Sequence, residues 1–175
     1  LEMICRKLCL EPGMEIIDIG CGFGGFARYA AQKYGARVTG FTVSKKQAEL
    51  GKKLCRGLPV EIRLEDYRKA SGLYDRVVSI GLMEHVGYKN YKTFMTVANR
   101  CLTNDGLFLL HTIGRNTPGF STDPWTNKYI FPNGMTPSSS QISEALQGFF
   151  VVEDWHNFGQ DYDTTLMSWN ENFQK

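Results

Sequence analysis

The chain has 175 residues, which suits one domain with a single core and leaves little room for two. Hydrophobic residues make up 42% and charged residues 22%, with basic and acidic side chains interspersed to a net charge of +2; this excludes a disordered chain and leaves no basic stripe for nucleic acid. The longest apolar runs are strand-length, well below the roughly 20 residues of a membrane-spanning helix.

Cysteine usage adds a compartment. Cys5, Cys9, Cys21, Cys55 and Cys101 are an odd number with no C-x-x-C pair, so neither a disulfide framework nor a metal site is expected, and a reduced, cytoplasmic setting follows. The sequence starts at Leu1 in mid-pattern, with no initiator Met and no leader, so one domain over residues 1–175 is expected, cut from a longer chain and truncated at both ends.

Leu1, Ile4, Cys5 and Leu8 recur at helical spacing, giving an amphipathic helix stopped by Pro12-Gly13. Ile16, Ile17 and Ile19 then make a short buried strand, and Gly20, Gly22, Gly24 and Gly25 force a tight turn. A helix pattern follows over Phe26–Tyr34, ending near Gly35. Strand, glycine turn and helix open a nucleotide-binding βαβ unit, because glycine lets a ligand approach bare backbone while helix-terminal N–H groups face its anionic end. Gly20, Gly22 and Gly25 also satisfy the G-x-G-x-x-G dinucleotide pattern. Against that reading, the next strand ends Thr39-Gly40-Phe41-Thr42-Val43-Ser44 with no acid to hold a ribose, and Asp18 lies inside the first strand, where a carboxylate suits a ligand carrying an ammonium group.

Arg37–Val43 reads as the second strand, and Ser44-Lys45-Lys46-Gln47 as a capping box opening the next helix. Gln47 is therefore either a cap or a contact to ribose or adenine. Val60–Leu64 is the third strand, followed by Glu65-Asp66-Tyr67. An acid and an aromatic at a strand's carboxyl end could take an adenine amino group and stack on its ring, or be a solvated loop. Tyr74–Ile80 is the fourth strand; after it Tyr91, Phe94, Met95, Ala98 and Leu102 line a helix that Asn104-Asp105-Gly106 terminates, and Leu107–His111 is the fifth strand.

Arg115 to Pro137 shows no period and is punctuated by proline and glycine. Trp125, Tyr129, Ile130 and Phe131 give this loop apolar weight, as a flap over the core or as the wall of an apolar substrate channel. Ser138-Ser139-Ser140-Gln141 begins a helix through Leu146, Phe149–Trp155 is a sixth strand, and Asp161 caps a last helix with Leu166, Trp169 and Phe173 on one face.

Strands alternating with helices predict an α/β fold, a Rossmann-like doubly wound and mostly parallel sheet with right-handed crossovers. Such a sheet gathers the ends of strands one, four and five on one rim. Glu84 and His111 stand at two of those ends and Tyr162 follows the sixth. Taken singly, Glu84 reads equally as a helix cap, His111 as a satisfied core histidine and Tyr162 as packing.

The run Ile17-Asp18-Ile19-Gly20-Cys21-Gly22-Phe23-Gly24 resembles the first motif of S-adenosylmethionine-dependent methyltransferases. Gly81-Leu82-Met83-Glu84-His85-Val86-Gly87, Leu109-Leu110-His111-Thr112-Ile113-Gly114, Asn127-Lys128-Tyr129-Ile130-Phe131-Pro132-Asn133-Gly134, Asp154-Trp155-His156-Asn157-Phe158-Gly159 and Asp161-Tyr162-Asp163-Thr164-Thr165-Leu166 resemble the cyclopropane-fatty-acyl-phospholipid synthase (mycolic acid cyclopropane synthase-like) family over nearly the whole chain. The resemblance implies transfer of the S-adenosylmethionine methyl to a cis double bond of an unsaturated phospholipid acyl chain, then ring closure through a carbocation deprotonated by bound bicarbonate. It implies a bicarbonate site made of Glu84, His111, Tyr162 and the Ile113 backbone; with the residue readings above, the cofactor site is expected at Asp18, Gly20, Cys21, Gly22, Gly24, Thr42, Ser44, Gln47, Asp66 and Tyr67. It also implies peripheral contact with the inner membrane face, and it allows a homodimer of the full-length protein. Two departures stand out: the family's upstream Tyr-Ser-Cys-Gly-Tyr segment, whose cysteine contacts bicarbonate, is absent together with the lid over the cofactor, and the family's last strand is expected beyond Lys175. On these grounds the 175 residues alone are expected to be weakly active or inactive.

Overall fold

The computed structural model describes residues 1–175. Its elements run α1 Glu2–Lys7, β1 Glu15–Ile19, α2 Gly25–Tyr34, β2 Arg37–Thr42, α3 Lys45–Leu54, β3 Val60–Leu64, β4 Tyr74–Ile80, α4 Met83–Val86, α5 Tyr91–Arg100, β5 Leu102–His111, α6 Pro124–Tyr129, α7 Ser139–Leu146 and α8 Tyr162–Gln174. The five strands form one sheet in the order β3-β2-β1-β4-β5, every neighbouring pair parallel. β1 lies at the centre, and the strand order reverses direction beside it, between β1 and β4. Loops on the two sides of such a reversal diverge and leave a crevice beyond the carboxyl ends of the strands.

Both faces of β1 are covered, as parallel strands require. Ile16 joins Cys5, Leu8, Phe26, Val38 and Val78 beneath α1 and α2, while Ile17 and Ile19 join Val77, Phe94, Met95 and Ala98 beneath α5. Each buried Ile, Leu, Val, Phe or Met among them contributes about 2 kcal/mol of transfer free energy. Period-two alternation places Asp18 on the Ile16 face, 2% exposed.

The structure departs from the sequence reading at four places. The helix before β5 ends at Arg100, and Asn104-Asp105-Gly106 lies inside β5. There the register slips: Tyr74 pairs with Leu102 but Arg76 with Leu107, so the turn residues form a bulge and not a helix stop. Asp123 accepts from the amides of Trp125 and Thr126 and caps α6 within the stretch that shows no period. Phe149–Trp155 forms no strand, with Val151 and Trp155 88% and 54% exposed. No strand pairs with it, although β5 bonds only to β4 and leaves its outer edge open; Phe150 instead packs its ring on Phe108 at 5.2 Å. Asp161 precedes α8 without a side-chain capping bond, and Leu166, Trp169 and Phe173 on that helix are exposed.

Two glycines of the turn after β1 differ in what they do. Gly20 has φ +88°, and a Cβ there would stand 2.9 Å from the Cβ of Leu82, in the loop after β4. Gly22 has φ +54° with open space where its Cβ would be. Gly20→Ala combines left-handed strain with a steric clash and is expected to destabilise the protein by about 3 kcal/mol. Gly22→Ala carries the strain alone, about 1 kcal/mol. Urea denaturation of the two variants measures the difference, and equal losses would contradict the Leu82 contact.

Candidate active site

The crevice begins at the turn after β1. The amides of Gly20 and Cys21 both donate to Phe41 O, at 3.0 and 2.9 Å, and Gly24 N donates to Cys21 O at 2.9 Å. These bonds tie the turn to β2 and aim it into α2, whose N-cap is Gly24 at φ +76°. The amides of Gly22 and Phe23 donate to nothing within the chain. With the first turn of α2 they present free N–H groups at a helix N-terminus, where partial positive charge accumulates.

Cys21 serves the turn through its backbone. Its side chain is 7% exposed, packs with Ala48 and Ile62, and fills the space a Cβ on Gly40 would need, 2.8 Å from its Sγ. Gly24 is likewise a packing position, since a Cβ there would meet Cys55 Sγ at 3.1 Å.

Asp18 is the electrostatic feature of this half of the site. It is 2% exposed and its carboxyl makes no hydrogen bond, so burial alone pushes its pKa up to about 7. A buried acid without a partner is costly in the free chain, and a cation beside it removes the cost.

The end of β2 carries a small polar network. The Thr42 hydroxyl, on a residue 6% exposed, donates to Gln47 Oε1 at 2.7 Å and accepts from Ser44 N at 3.2 Å. Ser44 Oγ accepts from Gln47 N at 3.4 Å and caps α3. Only half of the expected capping box forms, because the Gln47 side chain satisfies the buried Thr42 hydroxyl instead. The reciprocal box forms at α7, between Ser138 and Gln141.

Beyond β3, Asp66 is held by its own neighbour. Its Oδ1 accepts from the Arg68 backbone N and Nε, both at 2.9 Å, and Oδ2 accepts from the Arg68 guanidinium at 2.6 Å. Arg68 keeps this carboxyl below its usual pKa. Tyr67 is half-buried and meets Phe94 edge-on at 5.6 Å, so its ring is part of the core.

The second half of the site lies beyond β4 and β5. Ile80 pairs with His111, and Gly81 N donates to His111 O at 2.9 Å. The loop then carries Leu82 against Gly20 and buries Met83 completely, which fixes Glu84 in the single turn of α4. Glu84 Oε1 accepts from Ile113 N at 2.7 Å, and the backbone O of Glu84 accepts from Met135 N, also at 2.7 Å. Glu84 Oε2 is buried and has no hydrogen-bond partner. Of the expected anion-site residues, the fold thus joins Glu84 to the Ile113 backbone. His111 is exposed at the strand end with Phe158 6.2 Å away, and no hydrogen bond links it to Glu84. Tyr162 sits 46% exposed at the start of α8, edge-on to Trp169, and is not hydrogen-bonded to the other three.

Sequence reasoning missed three contributors. Leu82 wedges the two loops together, Met135 pins the Glu84 backbone, and Tyr91 lies 1% exposed with an unpartnered hydroxyl. Tyr91 stands on the apolar stripe of its helix, and only its being tyrosine where phenylalanine would pack as well hints at more.

Around the rim, Ile113, Phe120, Trp125, Tyr129, Ile130 and Phe131 are all roughly half exposed or more. Phe131 meets His85 edge-on at 5.8 Å and Phe120 meets Tyr88 at 5.1 Å, so the loop after β5 folds back over α4 and presents apolar surface beside Glu84.

Comparison with known proteins places the chain in a family. The family model for mycolic acid cyclopropane synthetase matches residues 1–175. The cyclopropane-fatty-acyl-phospholipid synthase of Escherichia coli K12 is 54% identical over 173 residues, which are 99% of this chain and 45% of that protein. The chain therefore spans less than half the length of that curated relative. Among solved structures, the cyclopropane synthase MmaA2 from Mycobacterium tuberculosis superposes with a TM-score of 0.89 at 31% identity, covering 99% of this chain and 67% of that one. Mycolic acid cyclopropane synthase CmaA1, in a complex with SAH and CTAB, gives 0.88 at 31% identity, with the same coverage. With the match running the whole length of the five-stranded parallel sheet and its rim loops, the chain belongs to the mycolic acid cyclopropane synthetase family and carries the class I fold of S-adenosylmethionine-dependent methyltransferases.

Proposed function

We propose that the full-length protein moves the methyl carbon of S-adenosylmethionine onto a cis double bond of a phospholipid acyl chain and closes a cyclopropane ring, with bound bicarbonate as the base. The observation that carries the reading is Glu84, fixed by Ile113 N at one oxygen and left with the other buried and unpartnered, on the rim where the Asp18 turn opens. An orphaned buried acceptor calls for a donor. The O–H of bicarbonate is such a donor, and an imidazole N–H at His111 and a phenol O–H at Tyr162 are the groups that would hold its anionic side.

The cofactor fits the other half. Asp18 would face its ammonium group, and the free amides at Gly22 and Phe23 would face its carboxylate. When bound, S-adenosylmethionine supplies an electrophilic methyl group on a sulfonium sulfur. An alkene is a weak nucleophile, so the chain's task is to hold the double bond in line with that group and to keep water from the substrate cation that results. Leu82 and Met83 fix the distance between the two halves, and the exposed apolar side chains from Ile113 to Phe131 form the wall along which the acyl chain enters. The same wall gives the protein its peripheral contact with the inner membrane face; no helix is long and apolar enough to cross the bilayer.

Mass spectrometry of unsaturated phospholipid incubated with the full-length protein and S-adenosylmethionine tests the chemistry. Cyclopropane product is expected, with Glu84→Gln lowering turnover by about 100-fold while S-adenosylhomocysteine still binds. A methyl-branched product from the wild type would sink the ring-closing step.

Asp18 supplies a second test. Its raised pKa means that the folded chain prefers the protonated carboxyl, so the stability it contributes is fully present below about pH 4 and is lost as pH rises through about 7. Asp18→Asn keeps the shape without the charge. Its unfolding temperature is expected to exceed that of the wild type at about pH 8, the gap closing at about pH 4, while calorimetry shows at least about tenfold weaker binding of S-adenosylhomocysteine. A variant no more stable than the wild type at the higher pH would contradict the account of Asp18.

A further inference from the structure

Besides the Asp18 carboxyl, two fully buried side-chain polar atoms have no hydrogen-bond partner: Glu84 Oε2 and the hydroxyl of Tyr91. They belong to elements packed on one another, α4 and the first residue of α5, and Met83 and Tyr91 share one core cluster. Unpartnered groups of this kind are rare, and two in adjacent elements ask for one explanation.

Donor accounting at Glu84 supplies it, on the reading of the site given above. A backbone N–H is a single donor, and that of Ile113 is spent on Glu84 Oε1 at 2.7 Å. If the Ile113 backbone is to hold bicarbonate, Glu84 must give up this bond. A half-buried carboxylate that loses a donor needs another nearby. His85, the other titratable side chain of α4, is exposed and stacks edge-on with Phe131, so it faces away.

We infer that Tyr91 is a positioning residue, whose hydroxyl donates a hydrogen bond to the Glu84 carboxylate once Ile113 N turns to the anion. No bond is made or broken apart from the exchange of one hydrogen-bond donor for another. Burial and the charge of Glu84 push the Tyr91 phenol up to about 12, so it keeps its proton and acts only as a donor. At 1% exposure the ring cannot reach substrate or cofactor, and its effect must pass through Glu84.

Tyr91→Phe in the full-length protein is the test, since it removes one hydroxyl and keeps the ring. The expected result is a loss of turnover of about tenfold, with KM for phospholipid and for S-adenosylmethionine unchanged and a higher bicarbonate concentration needed for half-maximal rate. In a Glu84→Gln background the same change is expected to have no further effect, because the partner is gone. Wild-type turnover in Tyr91→Phe, or equal losses in both backgrounds, overturns the inference. An arm independent of turnover uses protein labelled with 13C at the hydroxyl-bearing ring carbon of tyrosine: the Tyr91 resonance should move when bicarbonate is added, and stay still in Glu84→Gln. A still resonance in a wild-type protein that makes cyclopropane overturns the role of Tyr91 alone. A wild-type protein that makes no cyclopropane overturns the functional reading, and this inference with it.

Discussion

The contact between Leu82 and the bare backbone of Gly20 is the constraint on which the site depends. The loop after β1 and the loop after β4 leave the sheet on opposite sides of the point where the strand order reverses, and nothing in a parallel sheet by itself fixes the gap between them. A side chain at residue 20 would occupy the space that Leu82 fills. Glycine there lets the two loops close to van der Waals contact, and Met83, wholly buried one residue on, anchors the second loop in the core beneath α5. The Asp18 half and the Glu84 half are thereby set at one distance by packing, the kind of support a reaction governed by alignment needs.

Around that constraint the molecule tolerates polar groups a purely structural protein would avoid. Asp18 is buried without a hydrogen bond, one Glu84 oxygen is buried without a donor, and the Tyr91 hydroxyl lacks a partner. Elsewhere buried polar groups are satisfied: Ser79 donates to Ile19 O at 2.8 Å, Thr42 has Gln47, and Ser138 has Gln141. Unsatisfied polarity at Asp18 and Glu84, on one rim, is what the proposed ligands would satisfy, and Tyr91 lies in the core behind it. Burial pushes the Asp18 carboxyl up to about 7, so on the proposed reading a cofactor cation beside it would favour the ionised form and tie binding to proton release.

Much of the frame was legible because local signals and tertiary packing agree there. Ile16 to Ile19 read as a buried strand and are one, and Val60–Leu64 and Tyr74–Ile80 match to the residue. Where the reading failed, a partner outside the motif decided. Gln47 left its capping box for Thr42, a competition invisible in a four-residue motif. Phe149–Trp155 has strand composition but leaves the open edge of β5 unpaired, its Phe150 packing on Phe108, and Asn104-Asp105-Gly106 is turn chemistry absorbed as a bulge by a strand paired on one side. In the site, Glu84 and Ile113 were named from motifs and do meet. Asp66, a candidate ligand group, is held in the free chain by Arg68, a partner two residues away that the motif does not require. The Leu82 wedge and the Tyr91 orphan exist only in three dimensions.

The central claim is that the free oxygen of Glu84 awaits a bound anion. A crystal structure of the full-length protein with S-adenosylhomocysteine, grown in bicarbonate, tests it most directly. The account predicts trigonal planar density within hydrogen-bond distance of Glu84 Oε2 and the Ile113 amide, facing the sulfur of the cofactor. A Glu84 carboxylate that keeps the Ile113 bond and turns its other oxygen to a protein donor, with no anion beside it, would contradict the account.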